Sequence, residues 1–161
     1  PLFRSRLVSL LKNLATGKDT ALPKETTLSA FSNISLPGKR FLLVEDNMLN
    51  SEIAAEILHM TGAEVDTAEN GQEALHKFLY HPVGHYDLIF MDIQMPLMNG
   101  YEATQAIRPL DRIDATSVPI IAMTANAFAE DIIRAKHSGM NAHVAKPLDM
   151  GKLYEVLKKY L

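Results

Sequence analysis

The chain has no cysteine and no tryptophan. Without thiols it can form neither a disulfide nor a thiolate metal centre, a composition suited to a reducing compartment such as the cytoplasm. Long apolar runs are missing too. None approaches the roughly 20 residues of a membrane span, so no direct membrane contact is expected of this stretch. No secretory leader is legible, since residue 1 is Pro and no apolar core follows it. The missing initiator Met points to a piece of a longer protein. Charge of one sign is also lacking: the net charge is −3, which offers no basic surface to nucleic acid. What is present is ordinary for a globular protein. There are 161 residues, 47% hydrophobic and 22% charged, enough for one domain with a core and a short appendage.

The appendage comes first. Residues 1–16 place Phe3, Leu7, Leu10, Leu11 and Leu14 on one helical face, with Arg4, Arg6 and Lys12 between them. Residues 17–38 turn to Thr, Ser, Lys and Pro, the composition of a linker. Residues 1–14 (PLFRSRLVSLLKNL) resemble residues 147–160 (PLDMGKLYEVLKKY). Residues 1–16 are therefore expected to be the last helix of a preceding, truncated copy of the same domain.

From residue 39 strands and helices alternate. Apolar runs predict strands over 40–45, 64–68, 87–92, 118–123 and 141–145. Helical periodicity predicts helices over 47–60, 70–80, 100–108, 126–138 and 149–160. Pro82, Gly84, Pro109 and Gly139 punctuate them. Five βα units with short connections predict an α/β, flavodoxin-like, doubly wound parallel sheet of order 2-1-3-4-5 with five helices.

In such a sheet the carboxyl ends of the strands share one edge, where ligands bind. Glu45 and Asp46 close the first strand, Asp92 the third, Thr124 the fourth and Lys146 the fifth. Taken alone, Asp92 reads as a structural residue, a strand end or a helix cap. Together these residues make a shallow cleft of three carboxylates, a hydroxyl and an ammonium. Neighbouring carboxylates repel and raise one another's pKa; a divalent cation relieves this. All-oxygen ligands favour a hard ion, Mg²⁺ or Mn²⁺. Asp92, flanked by metal, ammonium and hydroxyl, is the candidate nucleophile toward phosphorus. Glu45, Asp46 and Asp92 are candidate metal ligands, joined by the backbone carbonyl of Gln94. Of the remaining histidines, His59, His76, His81, His85 and His137 show no ligand spacing shared with acids, and His81 and His85 are expected to face solvent.

The segments VEDN (44–47), MDIQMPLMNG (91–100), MTAN (123–126) and AKP (145–147) resemble the receiver domain of two-component response regulators, over residues 39–161. DNMLN, DIQMPLMNGYEAT and PIIAMTANAF resemble receivers fused to hybrid histidine kinases in particular. The resemblance implies a phosphorelay role. Asp92 would take a phosphoryl group from a phosphohistidine on a histidine kinase or histidine phosphotransfer domain. Glu45 and Asp46 would hold Mg²⁺, Lys146 would contact the phosphoryl group and Thr124 would close on it. Output would run through the surface of helix 126–138, strand 141–145 and helix 149–160. A partner would dock against Leu49, Asn50, Ile53 and the Pro147 loop. The family's aromatic switch position is occupied by His143, which puts that coupling in question.

Three other readings compete. A Mg²⁺-dependent phosphohydrolase with an Asp nucleophile wants a second acid two residues on, where Gln94 stands. A flavodoxin-like cofactor binder wants a Ser-, Thr- and Gly-rich loop after the first strand, where EDNMLN is acidic. A receiver kept only as a contact surface would not need the complete acid, Thr and Lys set.

Overall fold

The computed structural model describes residues 34–161 apart from residue 127. The expected helix over 1–16 and most of the linker lie outside the described residues. Five strands, β1 (Arg40–Val44), β2 (Glu64–Ala68), β3 (Leu88–Asp92), β4 (Ile120–Thr124) and β5 (Ala142–Ala145), form one parallel sheet of order β2-β1-β3-β4-β5. The helices are α1 (Met48–His59), α2 (Gly71–Tyr80), α3 (Gly100–Ile107), α4 (Ile113–Ser117), α5 (Ala129–Ser138) and α6 (Met150–Tyr160).

The central strands are apolar without alternation because both faces are covered. Successive side chains point to opposite faces. Leu42, Val44, Ile89, Met91, Ile120 and Ala122 join the core that includes Ala74, Phe78 and Ile107 of α2 and α3. Phe41, Leu43, Leu88, Phe90, Ile121 and Met123 join the core that includes Ile57 and Leu58 of α1 and Leu153 and Leu157 of α6. Phe41 and Phe90 meet edge to face at 6.0 Å. Ile34 and Leu36, placed by composition in the linker, pack against this second core, and the Leu36 N–H donates to the Thr61 carbonyl at 2.7 Å.

Helix starts follow from short polar side chains that accept from otherwise orphaned N–H groups. Asn47, Asn70, Asn99 and Asp149 cap α1, α2, α3 and α6, and Asn99 with Glu102 forms a reciprocal capping box. Gly139 ends α5 at φ 101°, the left-handed conformation that suits glycine.

Among the described residues there are six helices where five were expected. The extra helix, α4, has five residues, too few for a periodic signal to emerge. The Arg112 guanidinium fixes its start, donating to both Asp114 carboxylate oxygens (3.0 and 2.9 Å) and to the Phe78 and His81 carbonyls at the end of α2. It displaces the fourth strand, expected from 118, to Ile120: the Val118 N–H is spent on the Asp114 carbonyl and Pro119 has none. Helix α5 likewise starts at Ala129 rather than 126, because a Thr124–Asn126 turn occupies the intervening chain.

Candidate active site at the carboxyl edge

Strands β1, β3, β4 and β5 deliver their last residues to one edge, and the expected residues converge there. β1 stops at Val44, and Glu45 follows it inward, its N–H donating to the Ala68 carbonyl at 3.0 Å. Glu45 and Asp92 are buried, at 3% and 2% exposure, while Asp46 is exposed. One carboxylate oxygen from each of the three lies within 4.8 Å of the others. The Lys146 ammonium donates to Asp92 Oδ2 at 2.7 Å and to Glu45 Oε2 at 3.0 Å. It is held as a bridge between the two buried acids.

The electrostatics follow from burial. Desolvation raises the Asp92 pKa, and the Glu45 charge adds to it. The Lys146 ammonium and the Gln94 N–H, which donates to Asp92 Oδ1 at 3.2 Å, oppose the rise without cancelling it. Burial pulls Lys146 down, but hydrogen bonds and charges from Asp92 and Glu45 outweigh it, so its pKa stands above the ordinary lysine value. The ammonium therefore stays charged at neutral pH.

Two residues complete the edge. The Thr124 hydroxyl donates to the Asn126 carbonyl at 2.6 Å and accepts from the Asn126 N–H at 3.1 Å, so it is turned into its own loop. His143 is half-buried on β5 opposite Ala122, and strand alternation puts it on the same face as Thr124. The loop after β3 is held tightly: the Gly100 N–H donates to the Ile93 carbonyl, and a Cβ at Gly100 would collide with the Asp92 carbonyl oxygen. Within it Leu97 takes φ 66°, a strained conformation for a branched residue, and is 78% exposed. Exposed Met48 and Leu49 stand at the start of α1. A groove lined by Asn50, Ile53, Met123, Lys146, Pro147 and Leu148 opens beside the acids.

Sequence reasoning missed two features. Asn50 donates its amide to Glu45 Oε1 at 3.2 Å and so fixes that carboxylate; its position in the first turn of α1 was the available signal. Second, His81 and His85 are half-buried and not solvent-facing, and they do share a ligand cluster with an acid, Asp66. Asp66 comes from β2, so spacing along the loop could not show it.

The comparisons with known proteins agree with this geometry. Residues 41–158 match the family model described as the response regulator receiver domain. Hybrid signal transduction histidine kinase L of Dictyostelium discoideum is 38% identical over 122 residues, which are 75% of this chain and 7% of that protein. The chain thus spans a small fraction of the curated relatives it matches. Among solved structures, the receiver domain of sensor histidine kinase PA1611 from Pseudomonas aeruginosa, with magnesium coordinated in its active-site cleft, is 35% identical. The match covers 76% of this chain and 97% of that one, at a TM-score of 0.68. The receiver domain of Ssk1 from Saccharomyces cerevisiae, crystallised with the histidine phosphotransfer protein Ypd1, is 32% identical. That match covers 77% of this chain and 89% of the other, at a TM-score of 0.69. Among the described residues no helix is long and apolar enough to cross a membrane.

Proposed function

We propose that this chain, which belongs to the response regulator receiver domain family, is the phosphoacceptor of a phosphorelay in which Asp92 receives a phosphoryl group from a phosphohistidine. The observation that carries the reading is the buried Asp92 carboxylate held 2.7 Å from the Lys146 ammonium beside two further acids. An Asp92 oxygen attacks phosphorus, the P–O bond forms as the P–N bond breaks, and the electron pair returns to the imidazole nitrogen of the donor. Lys146 contacts the transferred phosphoryl oxygens. The Thr124 hydroxyl leaves its Asn126 contacts to donate to another.

The donor set fits a hard dication. Glu45, Asp46, Asp92 and the Gln94 backbone carbonyl would hold Mg²⁺, with Mn²⁺ an alternative, since every ligand is oxygen and Asp46 is open to water. The ion would neutralise charge on the phosphoryl oxygens. The chain's own residues do the rest: Asn50 orients Glu45, Lys146 keeps Asp92 in place, and the Gly100 contact sets the backbone of the acceptor.

The donor is a histidine kinase or a histidine phosphotransfer domain, docked over the exposed Met48 and Leu49 and the groove beside Pro147. The domain works in the cytoplasm as part of a hybrid histidine kinase, and output passes through α5, β5 and α6. Thr124 and His143 share the face needed to couple the site to that surface. The test is incubation with a ³²P-labelled histidine phosphotransfer protein. Label should move to the chain and fail to move to Asp92→Asn; label retained on the donor in both cases would overturn the reading.

A further inference from the structure

A second ligand cluster lies toward the amino edge of the sheet, away from Asp92. Asp66 of β2 meets His81 and His85 of the loop between α2 and β3, and one ligand atom from each lies within 4.8 Å of the others. We propose that Asp66, His81 and His85 form a second metal site, selective for a borderline dication such as Zn²⁺ and separate from the Mg²⁺ site.

The donor chemistry carries the selectivity. Two imidazoles and one carboxylate suit Zn²⁺ and its transition-metal neighbours, whereas Mg²⁺ favours an all-oxygen set. Three protein ligands, each half-buried, leave a position open to water. The carboxylate is already oriented, because the Tyr86 hydroxyl donates to Asp66 Oδ2 at 2.9 Å. Outer partners of this kind fix ligands in metal sites.

Two features oppose binding, and each has a release. The Arg40 guanidinium donates to His85 Nε2 at 3.1 Å and would have to give up that nitrogen, but it also pairs with Glu64 and keeps that partner. The His81 and His85 rings are stacked at 3.8 Å and 2°. An ion lies near the plane of each ring it binds, so occupancy must open the stack. The backbone of the joining loop is anchored, with the Gly84 N–H on Asp114 at 2.7 Å and the His81 carbonyl on Arg112 at 3.0 Å, so the release has to come from the two imidazole side chains turning about their own bonds. Opening of the stack is therefore the signature of an occupied site. Zn²⁺ would then tie β2 to the loop that leads into β3.

The test titrates zinc chloride into the full chain with saturating Mg²⁺, read by calorimetry and by imidazole ¹⁵N NMR. One zinc should bind per chain, with the His81 and His85 ring resonances moving together. His81→Gln, His85→Gln and Asp66→Asn should each weaken binding by about tenfold or more, and exposed His76→Gln should leave it unchanged. Because Asp66→Asn also replaces a charged acceptor of the Tyr86 hydroxyl by a neutral amide, the two histidine variants decide the matter if it fails to fold. Binding that survives both, that falls equally in His76→Gln, or that Mg²⁺ competes away would overturn the proposal, as would no binding at all.

Discussion

Two edges of one sheet each gather three ligand-type side chains, and they are built in opposite ways. At the carboxyl edge Glu45 and Asp92 are buried, and a lysine reaches from β5 to bridge them. At the amino edge Asp66, His81 and His85 are half-buried, and an arginine already paired with Glu64 leans on one ring. The first cluster gathers like charges that the fold forces together. The second gathers mostly neutral donors around one acid. Like charges brought together in a dry place are costly unless a cation or chemistry relieves them. The acidic cluster is thus held together by its lysine contacts against the repulsion of its carboxylates, whereas the histidine cluster sets one acid beside two imidazoles and has no such repulsion to relieve.

The largest effect is expected at Asp92. Asp92→Asn should abolish phosphoryl acceptance. In metal-free buffer it should also leave stability equal or higher, by on the order of 1 kcal/mol, measured by urea unfolding. The sign follows from the raised pKa. A carboxylate whose folded pKa lies above its unfolded value costs stability when ionised, so metal-free parent protein should gain stability as pH falls toward the folded pKa, and the Asn variant should not. A clearly less stable variant would count against this account of the cluster.

Next comes Lys146→Ala. Transfer from acetyl phosphate should slow by roughly a hundredfold or more, while Mg²⁺ binding stays intact or tightens as the competing ammonium leaves. Unchanged transfer kinetics would remove Lys146 from the chemistry.

Gly100→Ala tests the backbone under the acceptor. A methyl group pushed against the Asp92 carbonyl should cost about 1–3 kcal/mol and slow acceptance as well. Normal stability would show that the β3–α3 loop is slack.

The smallest effect sharpens the amino edge. The Asp114 pKa is lowered, first by the Arg112 hydrogen bonds and then, against the cost of burial, by the Gly84 N–H. Its contribution to stability is present above the unfolded carboxylate pKa and lost as pH falls through the folded value. Asp114→Asn should cost about 1–2 kcal/mol at neutral pH, and the gap to the parent should close in acid. A gap independent of pH would assign the loss to packing.

Much of this was readable before any coordinates. Strand ends at Glu45, Asp92, Thr124 and Lys146 mark one edge because parallel strands all point the same way, and four apolar runs of β length place them. What stayed hidden depends on pairings the sequence does not encode locally. The short α4 rests on Arg112 reaching across to the Phe78 and His81 carbonyls. The fixed position of Lys146 rests on two acids from distant strands. Asp66 joins His81 and His85 only through the packing of β2 beside the loop, and His143 takes its face from the register of β5.

The most direct test of the central claim is intact mass after incubation with acetyl phosphate, with and without Mg²⁺, on the parent chain and on Asp92→Asn. The account predicts one phosphoryl adduct on the parent, requiring Mg²⁺, and none on the variant. An adduct on Asp92→Asn, or none on folded, Mg²⁺-bound parent, would contradict the assignment of Asp92 as the phosphoacceptor.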